Sequence, residues 1–397
     1  MWDYYMDRVR AHNEMLPAPP LAFVDTYGCQ QNEADSEKLR GMLSKMGYAF
    51  TDDEYQADVI VINTCAVREH AEMRVLGNVG ALIHTKRAKP DQLIVLCGCM
   101  MQAPSNVEKI KRSYRHVDLV FGTFALPRFP RLLFEALGRT GRIYDVDQDD
   151  GTIVEGLPVY RGPKPRAWLS IMYGCDNFCS YCIVPTLRGR ERGRTPENIL
   201  HEAEELIRDG YTELTLLGQN VNSYGKGQGC DFAQLLSWVC ALDGDFTVGF
   251  MTSHPKDATH RLFDTMAQNP KVRRHLHLPF QSGSDRVLRA MNRGYTRADY
   301  MALIAYARDV MPGLNLTSDV IVGYPNETEE DFAETLDLMR HVAFDNLFTF
   351  LYSKRPGTPA AELPDDVPGE VKRERMARLL TLQKEIRDQN SSTRRDR

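Results

Sequence analysis

The sequence predicts an α/β protein in which an N-terminal doubly wound parallel sheet is followed by a partial or full parallel (β/α) barrel. Three observations carry this reading. Strand-type and helix-type stretches alternate from residue 21 onward. The alternation breaks once, in a stretch at 139–166 interrupted by Gly, Pro, Asp and Arg, as in Arg161-Gly-Pro-Lys-Pro-Arg166. The chain has 397 residues, more than one ordinary core requires.

Residues 1–20 read as a polar helical arm that ends in Pro17-Ala-Pro-Pro20. The first domain, 21–138, opens with the short apolar strand Leu21–Thr26, and Leu39, Met42, Leu43 and Met46 give helical spacing over Glu33–Met46. The β-branched run Asp58–Asn63 suits a central parallel strand. A helix from about Arg68 to His84 follows, then strand Leu93–Cys97, helix Asn106–Arg112, strand Val117–Phe121 and helix Phe129–Leu137. After the linker, the second domain at 167–388 carries six strand candidates: Trp168–Met172, Glu213–Leu217, Thr247–Met251, His275–Leu278, Leu316–Val322 and Leu347–Leu351. Thr195-Pro196 opens one helix as an N-cap followed by proline. Thr328-Glu-Glu-Asp331 opens another with a capping box. A last amphipathic helix is expected at Pro368–Ile386, and 389–397 reads as a polar, frayed tail.

Hydrophobic residues make up 43% and charged residues 26%, which excludes a disordered or fibrous chain. The net charge of -5 supplies no global positive field, so a nucleic-acid partner has to be met by a local basic patch. No apolar run approaches the ~20 residues that span a bilayer, and the N-terminus lacks a secretory apolar core. The nine cysteines are odd in number and not spaced as a disulfide framework. The chain reads as cytoplasmic, with cysteines that serve as metal ligands or nucleophiles.

GCDNFCSYC at 174–182 places Cys175, Cys179 and Cys182 in a C-x3-C-x2-C pattern just after a predicted strand. Three thiolates on one loop hold three irons of a four-iron cluster and leave the fourth iron open to a small molecule. A closed zinc site needs a fourth ligand, usually in two pairs, and Cys230 and His201 are not placed as a second pair. Cys29, Cys65 and Cys99 follow three strands of the first domain. In a parallel sheet the loops after those strands emerge on one edge, so the three thiols converge as a second three-ligand set. Three buried structural thiols are the plainer alternative. Cys97 competes with Cys99 on the same strand face, and Cys99 is preferred because it lies nearer the loop, after Gly98.

These motifs resemble those of the radical S-adenosylmethionine (SAM) methylthiotransferases. TYGCQ, NTCAVRE, GCDNFCSYCIVP, LGQNVNSYG, HLPFQSGS and DVIVGYPNET are most similar to the MiaB-type branch, which modifies tRNA, and the likeness covers about residues 21–388. Thr186, Gly193 and Asn326 depart from residues common in that branch. The family's C-terminal RNA-binding TRAM domain is expected to be absent. The resemblance implies a transferase that inserts a methylthio group at carbon 2 of an isopentenylated adenosine just 3′ of the anticodon. It implies two 4Fe-4S clusters and SAM as cofactors: a radical cluster on Cys175, Cys179 and Cys182, and an auxiliary cluster on Cys29, Cys65 and Cys99. The implied partners are tRNA and a reductant such as flavodoxin or ferredoxin, with no membrane and a monomeric chain. The alternatives are methylthiolation of threonylcarbamoyl-adenosine in tRNA or of a ribosomal protein, or a non-catalytic iron–sulfur electron carrier.

Other candidate residues sit at predicted strand ends, where barrel sites lie. Tyr181 is placed to stack on the SAM adenine. Gln219, Asn220, Ser253, Gln281, Ser282, Ile321 and Val322 are candidate SAM contacts, although polar residues there also cap turns. His275 and His277 share a strand face but lack a third ligand. Arg188, Arg190, Arg192 and Arg194, just beyond the cluster loop, are the candidate phosphate contacts to tRNA, with Glu191 partly compensating.

Overall fold

A computed structural model of the chain describes residues 2–66, 69–139, 141–147, 152–227 and 229–395. It divides into two compact units, Met1–Pro163 with Thr186–Arg192, and Lys164–Pro185 with Gly193–Arg397.

The first unit is built on six parallel strands: β1 Leu21–Thr26, β2 Ala49–Phe50, β3 Val59–Thr64, β4 Leu93–Gly98, β5 Leu119–Phe121 and β6 Ile143–Asp145. Their order is β2-β1-β3-β4-β5-β6. The order reverses between β1 and β3, which creates a crevice at the carboxyl ends of these two strands. All six residues of β3 are buried, as expected of a central strand covered on both faces. Helices α1 Trp2–Asn13, α2 Gln30–Lys45, α3 Glu69–Ala88, α4 Pro104–Ser113 and α5 Phe129–Leu137 complete the unit. Val59, Val61, Val95, Leu119 and Phe121 meet Leu39, Met42 and Leu133 in its core, and α1 adds Met6 and Val9.

Strand β6 lies inside the stretch expected to be a linker. Only three residues long, it gives too short a pattern to separate from a loop, yet its pairing with β5 places it in the sheet. The following chain also packs on this unit: the Tyr160 amide donates to the Glu37 carbonyl, and Arg161 pairs with the Glu37 carboxylate at 3.1 Å. Arg68 and Gly151, named in the sequence reading, lie outside the described residues.

The second unit is an open barrel of six parallel strands: β7 Arg166–Ser170, β8 Glu213–Leu217, β9 Thr247–Phe250, β10 His275–His277, β11 Asn315–Val322 and β12 Asn346–Leu351. They form two three-stranded sheets, β9-β8-β7 and β10-β11-β12. A single parallel bridge from Val248 to Val272 leads from β9 toward β10. Among the described residues no pairing closes β12 onto β7, so the barrel is partial. Helices α6 Pro196–Arg208, α7 Phe232–Cys240, α8 His260–Gln268, α9 Asp285–Ala290, α10 Arg297–Val310, α11 Glu329–Val342 and α12 Gly369–Arg395 belong to this unit. Thr195 caps α6 by accepting from the Asn198 amide, and Thr328 with Asp331 forms a capping box at α11. The tail expected to fray from residue 389 instead continues α12 to Arg395, because its Gln, Asn, Ser and Arg residues do not break a helix. No described helix is long and apolar enough to cross a membrane.

Asp331 fixes the start of α11 to the barrel. It accepts from Ser284 Oγ at 2.6 Å, Arg286 Nε at 3.2 Å and the Thr328 amide at 2.8 Å. Burial pushes its carboxyl upward, but the bonds from Arg286, Ser284 and Thr328 outweigh it and hold the pKa at about 2. A carboxyl depressed in the folded state binds fewer protons there than in the unfolded chain. Its contribution is therefore complete above the ordinary value of 3.8 and is lost as pH falls toward about 2. Asp331→Asn is expected to lower the urea midpoint of the apo chain at pH 6 and to have a smaller effect at pH 3. Equal losses at both pH values would show that the carboxylate charge contributes nothing.

Candidate functional site

The first unit gathers Cys29, Cys65 and Cys99 at the carboxyl ends of β1, β3 and β4. Cys29 is exposed at the N-cap of α2, while Cys65 and Cys99 are buried. Cys29 Sγ and Cys99 Sγ lie 3.8 and 3.9 Å from the same atom, Asn32 Oδ1. A Cβ on Gly28 would stand 2.7 Å from Cys65 Cβ, and the φ of +138° at Gly28 is itself costly for other residues. Gly98, at φ +93°, leaves no room either: its Cβ would meet Asn63 Oδ1 and the Thr64 backbone. The glycines in TYGC and GC are thus what lets the three loops close on one another.

Burial pushes the Cys99 thiol up to about 12, against the pull of Arg188, and neighbouring Cys65 and Cys29 push it the same way. Such a thiol is inert alone and gives up its proton when a metal binds. Cys97 is not part of the set. It is buried in the hydrophobic core of the unit and approaches the Ile62 carbonyl, whereas Cys99 stands in the turn after β4 and meets Asn32 and Arg188.

In the second unit, β7 leads into Gly174, at φ +78°, and the Cys175–Cys182 loop. Phe178 is held at φ +47°, a conformation rare for bulky residues. Asn292 Nδ2 braces it by donating to the Phe178 carbonyl at 3.0 Å and the Asn177 carbonyl at 3.2 Å. Cys179 is buried, with Arg293 Nη1 at 3.3 Å and His254 Nε2 at 3.8 Å from its sulfur. The Lys256 amide donates to His254 Nδ1, which leaves the ring proton on Nε2, facing Cys179. Burial, aided by Arg293, Lys256 and Lys226, lowers the His254 pKa to about 2, so the ring is neutral. Burial pushes the Cys182 thiol up to about 12, and Cys179 and Cys175 add to it.

Both thiol sets are spread rather than focused. Among the described residues no three His, Cys, Asp or Glu side chains converge as they would on one metal ion. A four-iron cluster takes one thiolate per iron, at separate corners, and three separated thiols suit it better than a single ion. Around the second set, four buried polar atoms lack a hydrogen-bond partner: Asn177 Nδ2, Asn220 Oδ1, Asn222 Nδ2 and Ser253 Oγ. Orphaned atoms at the carboxyl ends of barrel strands mark a ligand-shaped demand.

The candidate SAM contacts separate under this geometry. Asn220 and Ser253 supply orphaned atoms. The Tyr181 ring packs beside Ile321 and Tyr324, and its hydroxyl meets Arg293. Gln281 is buried at φ +66°. Three side chains are otherwise engaged. Gln219 Oε1 accepts from the Gly174 amide, Ser282 Oγ accepts from the Ser284 amide, and Val322 lies in the hydrophobic core. His275 and His277 both meet Thr317 Oγ1 and form no ligand set.

The arginine cluster requires the largest correction. Arg188 is 6% exposed and forms an ion pair with Asp35 at 2.8 Å, and Arg194 is 8% exposed and pairs with Glu202 at 2.6 Å. Arg192 lies over the Phe124 ring and donates to the Arg188 carbonyl, while Arg190 is exposed. Dense arginine in sequence does not reveal which guanidinium groups find buried carboxylates far along the chain. The sequence reading also missed Asn32, Asp35, Asn177, Asn222 and Arg293. Asn32, in the first turn after Cys29, Asn177, between Cys175 and Cys179, and Asn222, in LGQNVNSYG, carry a local signal; Asp35 and Arg293 do not.

Fold and donor sets define a radical SAM enzyme with a second cysteine site on an appended doubly wound domain. The Radical SAM superfamily model matches residues 169–339, and the model of the uncharacterized protein family UPF0004 matches 22–122. Radical SAM methyltransferase TsrM from Kitasatospora setae, solved with cobalamin and a [4Fe-4S] cluster, shares the fold at a TM-score of 0.63. It is 16% identical, over 87% of this chain and 77% of that one. The tRNA-2-methylthio-N(6)-dimethylallyladenosine synthase of Acetivibrio thermocellus is 52% identical over 375 residues, 94% of this chain and 78% of that protein. Its counterpart from Alkaliphilus oremlandii is 51% identical over 365 residues, 91% and 78% respectively. The chain belongs to the tRNA-2-methylthio-N(6)-dimethylallyladenosine synthase family.

Two variants check the auxiliary site. Anaerobically reconstituted protein is expected to bind about eight irons, and Cys29→Ala/Cys65→Ala/Cys99→Ala about four, with reductive SAM cleavage retained. Gly28→Ala is expected to lose about half the iron as well, by crowding Cys65, with an unchanged circular dichroism spectrum. Full iron loading of Gly28→Ala would show that the loops close without this contact.

Proposed function

We propose that this chain inserts a methylthio group at carbon 2 of an N6-dimethylallylated adenosine just 3′ of the anticodon of tRNA. The observation that carries the reading is the presence of two separate three-cysteine sets in one chain, each at the carboxyl ends of parallel strands. A single set suffices for radical initiation, and the second gives sulfur a place to be held. When bound, a cluster on Cys175, Cys179 and Cys182 offers an open iron to SAM and an electron for its cleavage, and one on Cys29, Cys65 and Cys99 supplies sulfur.

The chain's own residues prepare these sites. His254 and Arg293 direct N–H groups at Cys179 Sγ without adding a titrating group near neutral pH. Asn177 Nδ2, Asn222 Nδ2 and Ser253 Oγ offer donors, and Asn220 Oδ1 an acceptor. A ligand bearing a carboxylate, an ammonium and ribose hydroxyls fits that mixture. The apolar wall of Ile321 and Tyr324 with the Tyr181 ring suits an adenine. A one-electron reductant such as flavodoxin or ferredoxin serves the chain, which acts as a monomer in the cytoplasm.

Nucleoside mass spectrometry of tRNA from cells lacking their own methylthiotransferase tests the substrate. Expression of this chain is expected to convert dimethylallyl-adenosine to its 2-methylthio form. Conversion of threonylcarbamoyl-adenosine instead would overturn the assignment.

Among the four arginines, exposed Arg190 is the proposed phosphate contact. Arg190→Ala is expected to reduce the slope of log affinity against log salt by about 0.9 for a duplex contact or about 0.7 for a single strand. Arg194→Ala is expected to lower the melting temperature, because it removes the ion pair with Glu202 and the bond to the Ser170 carbonyl.

A further inference from the structure

Arg188 spreads its fork over three groups of the first unit. Nη1 pairs with Asp35 Oδ2 at 2.8 Å, Nη2 donates to Asn32 Oδ1 at 3.1 Å, and Nε donates to Cys99 Sγ at 3.2 Å. Asp35 is itself buried and receives a second bond from Gln31 Nε2 at 3.3 Å. A guanidinium removed from water costs several kcal/mol. One carboxylate would satisfy its charge, yet the Nε–H is spent on a sulfur. A neutral thiol is a weak acceptor, whereas an iron-bound thiolate is an anion and a strong one. The arrangement is therefore matched to the metal-loaded state.

We propose that Arg188 is a positioning residue for the auxiliary cluster: held by Asp35 and Asn32, it donates to the Cys99 thiolate and sets the cluster's reduction potential. The inference rests on the reading of Cys29, Cys65 and Cys99 as a four-iron site. A positive charge and an N–H bond at a ligand sulfur both stabilise the reduced, more anionic cluster, so Arg188 raises the potential. Asp35 opposes it by offsetting that charge. The two residues thus act on the potential with opposite signs, which a pair serving only to fold the loop would not do.

The test uses the full chain carrying Cys175→Ala/Cys179→Ala/Cys182→Ala, so that only the auxiliary cluster loads. Iron content and an EPR-monitored redox titration are read. About four irons with Arg188 intact supports the site itself. No iron at that stage would remove the cluster reading before any Arg188 variant is made. Arg188→Met is expected to shift the potential negative, Arg188→Lys to shift it less, and Asp35→Asn to shift it positive. If Arg188→Met fails to load, Arg188→Lys and Asp35→Asn still decide by opposite shifts. Unchanged potentials, shifts of the same sign, or loss of iron in all three variants would overturn the proposal and leave a purely structural ion pair.

Discussion

Asn32 is the side chain on which the arrangement of the first site depends. Its Nδ2 donates to the Tyr27 carbonyl at 3.1 Å and the Thr64 carbonyl at 2.8 Å, tying the loop after β1 to the end of β3. Its own carbonyl accepts from Asn63 Nδ2 at 2.9 Å, and Asn63 also reaches Ser36 Oγ. Thr64 Oγ1 then donates to the Cys97 carbonyl at the end of β4, which brings in the third loop. Asn32, Ser36, Asn63, Thr64 and Cys97 are all buried, so each lost partner among them would cost about 1–3 kcal/mol. Asn32 Oδ1 is left to face two cysteine sulfurs and the Arg188 fork. One amide therefore fixes the loops and also orients the guanidinium that meets Cys99.

The two cysteine sets solve the same ligand problem by different routes. The Cys175–Cys182 set is local, and its difficulty lies in the backbone: eight residues must turn tightly enough to place three sulfurs. Gly174 and Phe178 take positive φ there, and Asn292 braces the loop. The Cys29, Cys65 and Cys99 set is spread over 71 residues of sequence and relies on sheet order instead. Because β1 and β3 flank the reversal in strand order, their loops open into a common crevice. Each set places a buried arginine against one of its sulfurs, Cys179 with Arg293 and Cys99 with Arg188. Thiolates withdrawn from water need fixed donors, and arginine supplies them without risk of deprotonation.

This difference in route explains what was legible in the sequence. The strands and cysteines were readable because they carry period and spacing: Leu21–Thr26, Glu213–Leu217 and Phe129–Leu137 have the same bounds in sequence and structure. Short Ala49–Phe50 and Ile143–Asp145 were not, since two or three residues have no period and exist only through their neighbours. Cys97 and Cys99 were separable only in part. Their spacing places them on one face of an extended strand, but the chain turns at Gly98 into a 3₁₀ turn, and the two sulfurs diverge. The residues around the sulfurs were the least legible, because Arg293 reaches Cys179, and Asp35 holds the Arg188 that meets Cys99, through tertiary contacts.

The arginine-rich stretch shows how charge is sorted by burial rather than by sequence. Arg188 and Arg194 are six residues apart, and each is withdrawn from solvent by its own carboxylate, Asp35 and Glu202. Arg190 between them is exposed. A chain with net charge -5 offers many carboxylates, so a guanidinium next to a folded core is more readily captured than presented. The same capture yields a feature that a solvent-facing patch cannot provide. A paired, buried arginine has a fixed position, and a fixed N–H near a sulfur contributes a defined field that salt does not screen. The motif that looks like an RNA-binding patch in sequence thus contributes at Arg188 to the environment of the Cys99 sulfur.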